Sequence, residues 1–406
     1  MITADIEVAP PPATAVPATL RLGRFTLDGD DALERHLAQT CTRVLSGIRG
    51  LIPAAKLEAV LLGGGYGRGE GGVLRSAAGD RPYNDLEFYV GLEGNRHVNE
   101  FRFRRRLGVL GEILTHLADA EIEFKISSLA ELRAQPVSMF SYDLVAGHRV
   151  LWCNALAAGL PGCDHHRFAA SVPEAEGTRL LMNRCSGLLF ARVELDRGPK
   201  ALTPEKADFI RRNIAKVQLA CGDALLTSFG RYHWSCRERH HRLEQLASSE
   251  PWPWLDAVIR HHRVGVDFKL HPVSSVAAHT VLAELHREVT ALALQCWLAV
   301  ESRRLGRAFP SAAAYAADPV NKCPGSPPLR NFLLNLRVQR FRFRSRPNPW
   351  RHPRQRIFHA LALRLWEPGT LTDVTLRHQF ERELAMEAGR GAEWLPAYRA
   401  LWSRVQ

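Results

Sequence analysis

The chemistry in this chain concentrates between residues 61 and 126. Leu61-Leu62-Gly63-Gly64-Gly65-Tyr66-Gly67-Arg68-Gly69-Glu70-Gly71-Gly72 follows an apolar run. So many glycines after a strand suit a backbone that approaches a ligand closely, often phosphate held by main-chain N–H groups. A flexible surface turn is the plainer alternative. Asn84-Asp85-Leu86-Glu87-Phe88-Tyr89-Val90 then sets two carboxylates at i and i+2, on one face of an expected strand. Adjacent acids repel unless cations neutralise them, and hard oxygen donors so placed suit Mg²⁺ bridging a triphosphate. Glu121-Ile122-Glu123-Phe124-Lys125-Ile126 offers a third acid from a neighbouring strand, with Glu121, Glu123 and Lys125 sharing a face.

Other phosphate loops fit less well. No Gly-Lys-Ser/Thr occurs, which excludes a P-loop. Gly67, Gly69 and Gly72 match the dinucleotide spacing, with Glu87 twenty residues past Gly67. That fold needs a helix and a strand between glycines and acid, and residues 73–84 are too short and too broken by Gly and Pro. A kinase-type loop lacks its His-Arg-Asp and Asp-Phe-Gly partners, and no G-x-S-x-G elbow supports a serine hydrolase.

The elements that must position these residues read as mixed α/β up to about residue 155. Leu33, Leu37, Cys41, Val44, Leu45 and Ile48 predict a helix over 31–50. Strands are expected at Leu57–Leu62, Leu86–Leu92 and Glu121–Ile126, with a helix over Val98–Leu117 and a further apolar patch at Arg149–Trp152. From residue 178 to 307 the pattern is helical. Thr203-Pro204-Glu205 starts one helix, whose stripe runs through Ile210, Ile214, Val217, Cys221, Ala224 and Leu225. The organisation expected is a tail over 1–20, an α/β domain over 21–155 and an α-helical domain over 170–308. A Pro-rich and basic segment over 309–366 and C-terminal helices over 367–406 follow.

Gly64-Gly65-Tyr66-Gly67-Arg68-Gly69-Glu70 followed by Asn84-Asp85-Leu86-Glu87 resembles the signature of the DNA polymerase beta-like nucleotidyltransferases. The likeness is nearest to their small bacterial and aminoglycoside-modifying members. It covers roughly residues 55–155 and implies an α/β (α+β) nucleotidyltransferase domain with a short mixed sheet, followed by a helical domain. It further implies that Gly64 and Gly65 hold the β/γ-phosphates of an NTP, with ATP as the expected donor, and that Arg68 neutralises phosphate charge. Asp85 and Glu87 would ligate two Mg²⁺ ions, with Glu123 as third acid and Glu121 as the alternative. The expected reaction moves a nucleoside monophosphate onto a hydroxyl or phosphate of an acceptor. Two features depart from the pattern. Nineteen residues, 66 to 84, separate Gly65 from Asp85, so 71–83 reads as an insertion at the mouth of the site; Gly65 also stands where many members carry Ser. Both leave open an inactive relative that binds nucleic acid or senses nucleotides. Lys206, Arg211, Arg212, Lys216, Asp223, Arg231, Tyr232 and His233 are the helical-domain residues expected to face the cleft, against a plain solvated face.

Composition bounds the rest. Apolar residues make up 46% of the 406 and charged residues 24%, enough for a sizeable core. The net charge is +12, and the stretch from Pro319 to Trp366 holds eleven Lys/Arg and no acid. Arg337, Arg340, Arg342, Arg344 and Arg346 interleave with aromatics, and Arg351, Arg354 and Arg356 flank Trp350, so 337–356 suits RNA or another anionic partner. An amphipathic strand with its apolar face buried is the plainer reading of 337–346. Cys153, Cys163, His165 and His166 are too irregularly spaced for a zinc site, and no CxxC occurs. The run Arg237-Glu238-Arg239-His240-His241-Arg242 fits a ribonuclease-type Arg…His motif poorly. With neither a signal-peptide pattern nor a membrane-length apolar run, a soluble, reducing, cytoplasmic setting is expected.

Overall fold

The computed structural model describes residues 23–154, 159–247, 250, 252–273, 277–339, 348–386 and 394–405. The tail expected over 1–20 lies outside them. The first half forms α1 (Asp31–Leu51), β1 (Leu57–Leu62), α2 (Gly64–Arg68), β2 (Val73–Leu74), β3 (Arg81–Pro82) and β4 (Leu86–Leu92). It continues with α3 (Arg96–Ala118), β5 (Ile122–Ser127), α4 (Leu129–Ala134), α5 (Met139–Ala146) and β6 (Arg149–Cys153). α1 begins where Asp30 caps the Leu33 N–H, and it buries the stripe the spacing predicts, Leu33 through Ile48. Asn95 caps α3 in the same way.

Four strands make one mixed sheet in the order β5-β4-β1-β6, parallel between β4 and β5 and antiparallel elsewhere. β1 is central and covered on both faces, which is why Leu57, Ala59, Val60, Leu61 and Leu62 read as a nearly continuous apolar run. One face packs on α1 and α3 through Phe88, Val90, Leu107 and Ile122, and the other on α4 and α5 through Leu61, Tyr89 and Leu144. Residues 71–83 form the small β2–β3 hairpin. Tyr66 anchors it, accepting from Tyr83 N and donating to Gly72 O.

The second half is helical: α6 (Glu174–Leu195), α7 (Pro204–Ser228), α8 (Cys236–Ala247), α9 (Leu255–Leu270), α10 (His279–Leu305), α11 (Ala312–Ala317), α12 (Pro328–Gln339), α13 (Arg354–Leu361), α14 (Val374–Glu383) and α15 (Trp394–Val405). Thr203 caps α7 with Pro204 at its first position, as the sequence predicts. A single apolar core runs from Leu181 to Val405. The Pro-rich segment lends it Phe309, Ala312 and Tyr315, and Trp297 sits at its centre against Tyr315, Phe358 and Trp366. All eight cysteines are free.

At 337–338 the start of the basic stretch differs from the plainer strand reading. Arg337 and Val338 end α12 instead of lying on a strand, because Phe332 and Asn335 seat that helix against Trp350 and the 349–351 carbonyls. Arg354 donates to Val405 O and buried Arg356 to Glu383 O, so both serve the helical body. Residues 340–346 lie outside the described ones. No helix among the described residues is long and apolar enough to cross a membrane.

Glu70 locks the two halves together. It is 4% exposed, takes a hydrogen bond from Ser235 Oγ, and accepts from Cys236 N at 2.9 Å, at the start of α8. Burial pushes its pKa up, but Ser235 and the Cys236 N–H outweigh burial and hold it below the ordinary 4.5. A carboxyl with a lowered folded pKa stabilises above its unfolded value and loses that contribution as pH falls through the folded one. Glu70→Gln is therefore expected to cost about 1–3 kcal/mol at neutral pH. Between about pH 5 and pH 3 it should lose less further stability than wild type, read by thermal unfolding across that range.

Candidate functional site

β1 runs straight into the glycines. Gly63 N donates to Glu87 O at 2.9 Å, tying the loop to β4. Gly64 has φ 61°, and a Cβ there would stand 2.8 Å from Glu87 Oε2. Bare backbone thus lies directly against the acid, an approach only glycine allows. Gly65 is held by a different constraint, since its Cβ would meet the Glu70 carbonyl oxygen of its own turn at 2.9 Å. Gly64→Ala is expected to cost about 1–2 kcal/mol from the left-handed backbone alone. It should also displace Glu87, which unfolding and divalent-metal titration together would register.

Asp85 stands one residue ahead of β4, Glu87 lies within it, and the parallel register pairs Glu87 with Glu123 on β5. Carboxylate oxygens of Asp85, Glu87 and Glu123 lie within 4.8 Å of one another. Glu121, on the same face one step earlier, lines the adjacent cleft and falls outside that cluster. Lys125 reaches back between two of the acids, its Nζ 2.7 Å from Glu87 Oε1 and 3.1 Å from Glu123 Oε2. Burial disfavours its charge, but the bonds and charge of Glu87 outweigh burial and raise its pKa. Three carboxylates against one ammonium leave the cluster net negative. Asp85, the acid without an ion pair among the described residues, has its pKa raised by burial and then by the charges of Glu87 and Glu123. Hard oxygen donors, converging and under-neutralised, fit a divalent cation of the Mg²⁺ kind.

Asp85 and Glu121 open onto a cleft of about 600 Å³ between the sheet and α6, α7, α8 and α9. Its floor is a buried network. Arg239 Nε lies 2.7 Å from Asp223 Oδ1, its Nη1 donates to Tyr232 OH at 2.8 Å, and Tyr232 donates to Asp143 Oδ2 at 3.2 Å. His262 Nε2 meets Asp223 Oδ1 at 3.1 Å. Burial raises the Asp143 pKa; burial acts likewise on Asp223, where the charge of Arg239 outweighs it and lowers the value. The Arg68 side chain is only 10% exposed and 4.0 Å from Asp143, and its Nε has no hydrogen-bond partner. Arg212 is paired with Asp208 at 2.8 Å.

Arg184, Lys216 and Lys269 line the cleft and make no ion pair among the described residues. Burial lowers the pKa of each, and neighbouring guanidinium groups lower those of Lys216 and Lys269 further. The cleft therefore holds cationic charge that an anionic ligand would relieve.

Of the helical residues expected at the site, Arg212, Lys216, Asp223 and Tyr232 line the cleft. Lys206, Arg211, Arg231 and His233 do not. Lys206, in the first turn of α7, reaches Glu194 and Ala201 O, and Arg211 turns to Val273 O and the Phe268 ring. Sequence reasoning missed Asp143, Arg184, Arg239 and Lys269. For Arg239 a signal exists: Cys236, Arg239, Leu243 and Leu246 fall at helical spacing on the buried side of α8, so the arginine interrupts an apolar stripe. Cys163 and His166 belong to packing, with His166 Nε2 on Leu132 O.

No family model matches this chain, and neither a curated protein nor a solved structure matches it. Fold and site alone define its class: a small mixed sheet bearing an acid cluster, joined across a cationic cleft to a helical body.

Proposed function

We propose that the protein is a Mg²⁺-dependent nucleotidyltransferase that moves a nucleoside monophosphate from an NTP, ATP first among the candidates, to a hydroxyl or phosphate of an acceptor. The observation that carries this reading is the convergence of Asp85, Glu87 and Glu123 beside the bare backbone of Gly64, at the mouth of a cleft with unneutralised cations. In this reading the three acids hold the metal, with Glu123 preferred over Glu121 because only Glu123 joins the cluster. Bound Mg²⁺ would draw charge from the phosphates and from the acceptor hydroxyl. Gly64 lets the phosphates approach the main chain. Lys216, which feels the charge of Asp85, and Arg184 beside it offset phosphate charge, as does Arg68, which lines the cleft with an unpartnered Nε. The α6–α9 wall receives the acceptor.

Calorimetric titration with each NTP, with and without Mg²⁺, tests the reading. Binding that requires Mg²⁺, followed by pyrophosphate release once an acceptor is supplied, is the expected result. Absence of NTP binding in the presence of Mg²⁺ would sink it. One observation favours a second reading, a nucleotide-sensing protein without transfer: the Lys125 ammonium already bridges two of the acids. NTP binding that is indifferent to Mg²⁺ and releases no pyrophosphate would select it.

A further inference from the structure

α3 carries a second face that its own fold leaves bare. Asn99, Phe103, Leu107, Gly111, Leu114 and Ala118 bury its inner side against α1 and β5. Outward stand Val98 at 60% exposure, Phe101 at 94%, Val109 at 49%, Ile113 at 51% and Leu117 at 53%. At 100° per residue they spread over about 160° of the outward side, interleaved with arginines, along the roughly 30 Å from Val98 to Leu117. Five large apolar side chains gathered on one exposed side of a helix mark an interaction site.

Arg102, Arg104, Arg105 and Arg106 share the exposed side, between Phe101 and Val109, and none makes an ion pair among the described residues. Glu100 is already paired with Arg96, so Glu112 is the remaining acid of the helix. The charge determines what fits. A second copy of the chain would bring the two arginine clusters together with only the two Glu112 side chains to offset them. A nucleic acid would match the arginines but leave the aliphatic side chains without a partner. A bilayer with anionic headgroups satisfies both, since phosphates and carboxylates meet the guanidinium groups while Phe101, Val109 and Ile113 enter the acyl boundary.

We propose that the outer face of α3 is a peripheral docking surface for an anionic lipid membrane. α3 lies across the sheet from α4 and α5, so docking there leaves the cleft open to solutes. Co-sedimentation of the full chain with phosphatidylcholine vesicles, and with vesicles also containing about a third phosphatidylserine, tests the proposal. The full chain should pellet with the anionic vesicles and stay in solution with the neutral ones. Arg102→Glu/Arg105→Glu/Arg106→Glu should lower vesicle affinity by about a hundredfold or more, and Phe101→Ser by about tenfold. Both variants are surface changes, and an unchanged thermal unfolding midpoint checks that they fold. Arg337→Glu/Arg351→Glu, remote from α3, should leave most of the binding in place. Wild type that ignores anionic vesicles overturns the proposal. So does vesicle binding that persists in the α3 variants and disappears in the Arg337/Arg351 variant. A concentration-dependent dimer abolished by Phe101→Ser would assign the face to a second copy, and RNA binding lost with the α3 arginines would assign it to nucleic acid; either overturns it as well.

Discussion

Asp85→Asn/Glu87→Gln is expected to abolish Mg²⁺-dependent nucleotide binding and to reduce transfer by at least about a thousandfold, the equivalent of several kcal/mol of lost charge stabilisation. The single variants should then separate by the sign of their effect on the metal-free protein. Asp85 is strained by burial and by two neighbouring carboxylates and has no counter-ion among the described residues, so Asp85→Asn should raise the unfolding temperature. The carboxylate is only partly desolvated, and water on its open side screens the repulsion and limits the gain to below about 1 kcal/mol. Glu87 holds Lys125 at 2.7 Å, so Glu87→Gln deprives a half-buried ammonium of its nearest partner and should lower the unfolding temperature. Gain of stability with loss of binding in Asp85→Asn is the behaviour of a ligand site and not of a structural acid. Unaltered Mg-ATP binding in Asp85→Asn, or a fall in its unfolding temperature, would remove the metal assignment.

Much of this site was legible because strand periodicity is local. Asp85 and Glu87 two apart, and Glu123 and Lys125 two apart, are face assignments that need no tertiary knowledge, and the strands at Leu57–Leu62 and Leu86–Leu92 lie where their apolar runs place them. What periodicity does not carry is register between strands. Only the parallel pairing of Glu87 with Glu123 turns Lys125 from a bystander on an acidic face into the cation between two acids. The cationic wall was harder still. Arg184, Arg239 and Lys269 come from three helices, and their convergence follows from how α6, α8 and α9 pack on α7, a matter of crossing geometry that spacing leaves open. The basic run at 337–356 shows the opposite limit, since nearness in sequence does not say what each arginine touches. Among the described arginines of the run, Arg354 and Arg356 satisfy backbone carbonyls at helix ends.

Arg239→Ala is expected to be among the most damaging single changes, costing about 3–5 kcal/mol in urea unfolding. The side chain is 3% exposed, and it is the cation nearest to Asp223, itself 5% exposed. Truncation leaves Asp223 Oδ1 to His262 alone and takes the guanidinium donor from Tyr232, whose hydroxyl in turn serves Asp143. Buried Asp223 and half-buried Asp143 then lose the charge that makes their ionisation tolerable, and that asymmetry, more than the lost contact itself, sets the size of the effect. Arg239→Ala/Asp223→Asn should be less destabilised than Arg239→Ala, because removing the charge with its partner lifts the desolvation penalty. Arg239→Lys should recover part of the loss, since it keeps the charge without the fork that reaches both Asp223 and Tyr232. A loss below about 1 kcal/mol in Arg239→Ala would mean that water enters the floor freely and that the network does not hold the cleft in shape. The predicted loss, by contrast, makes α8 the element that fixes the cleft floor and holds its wall preformed.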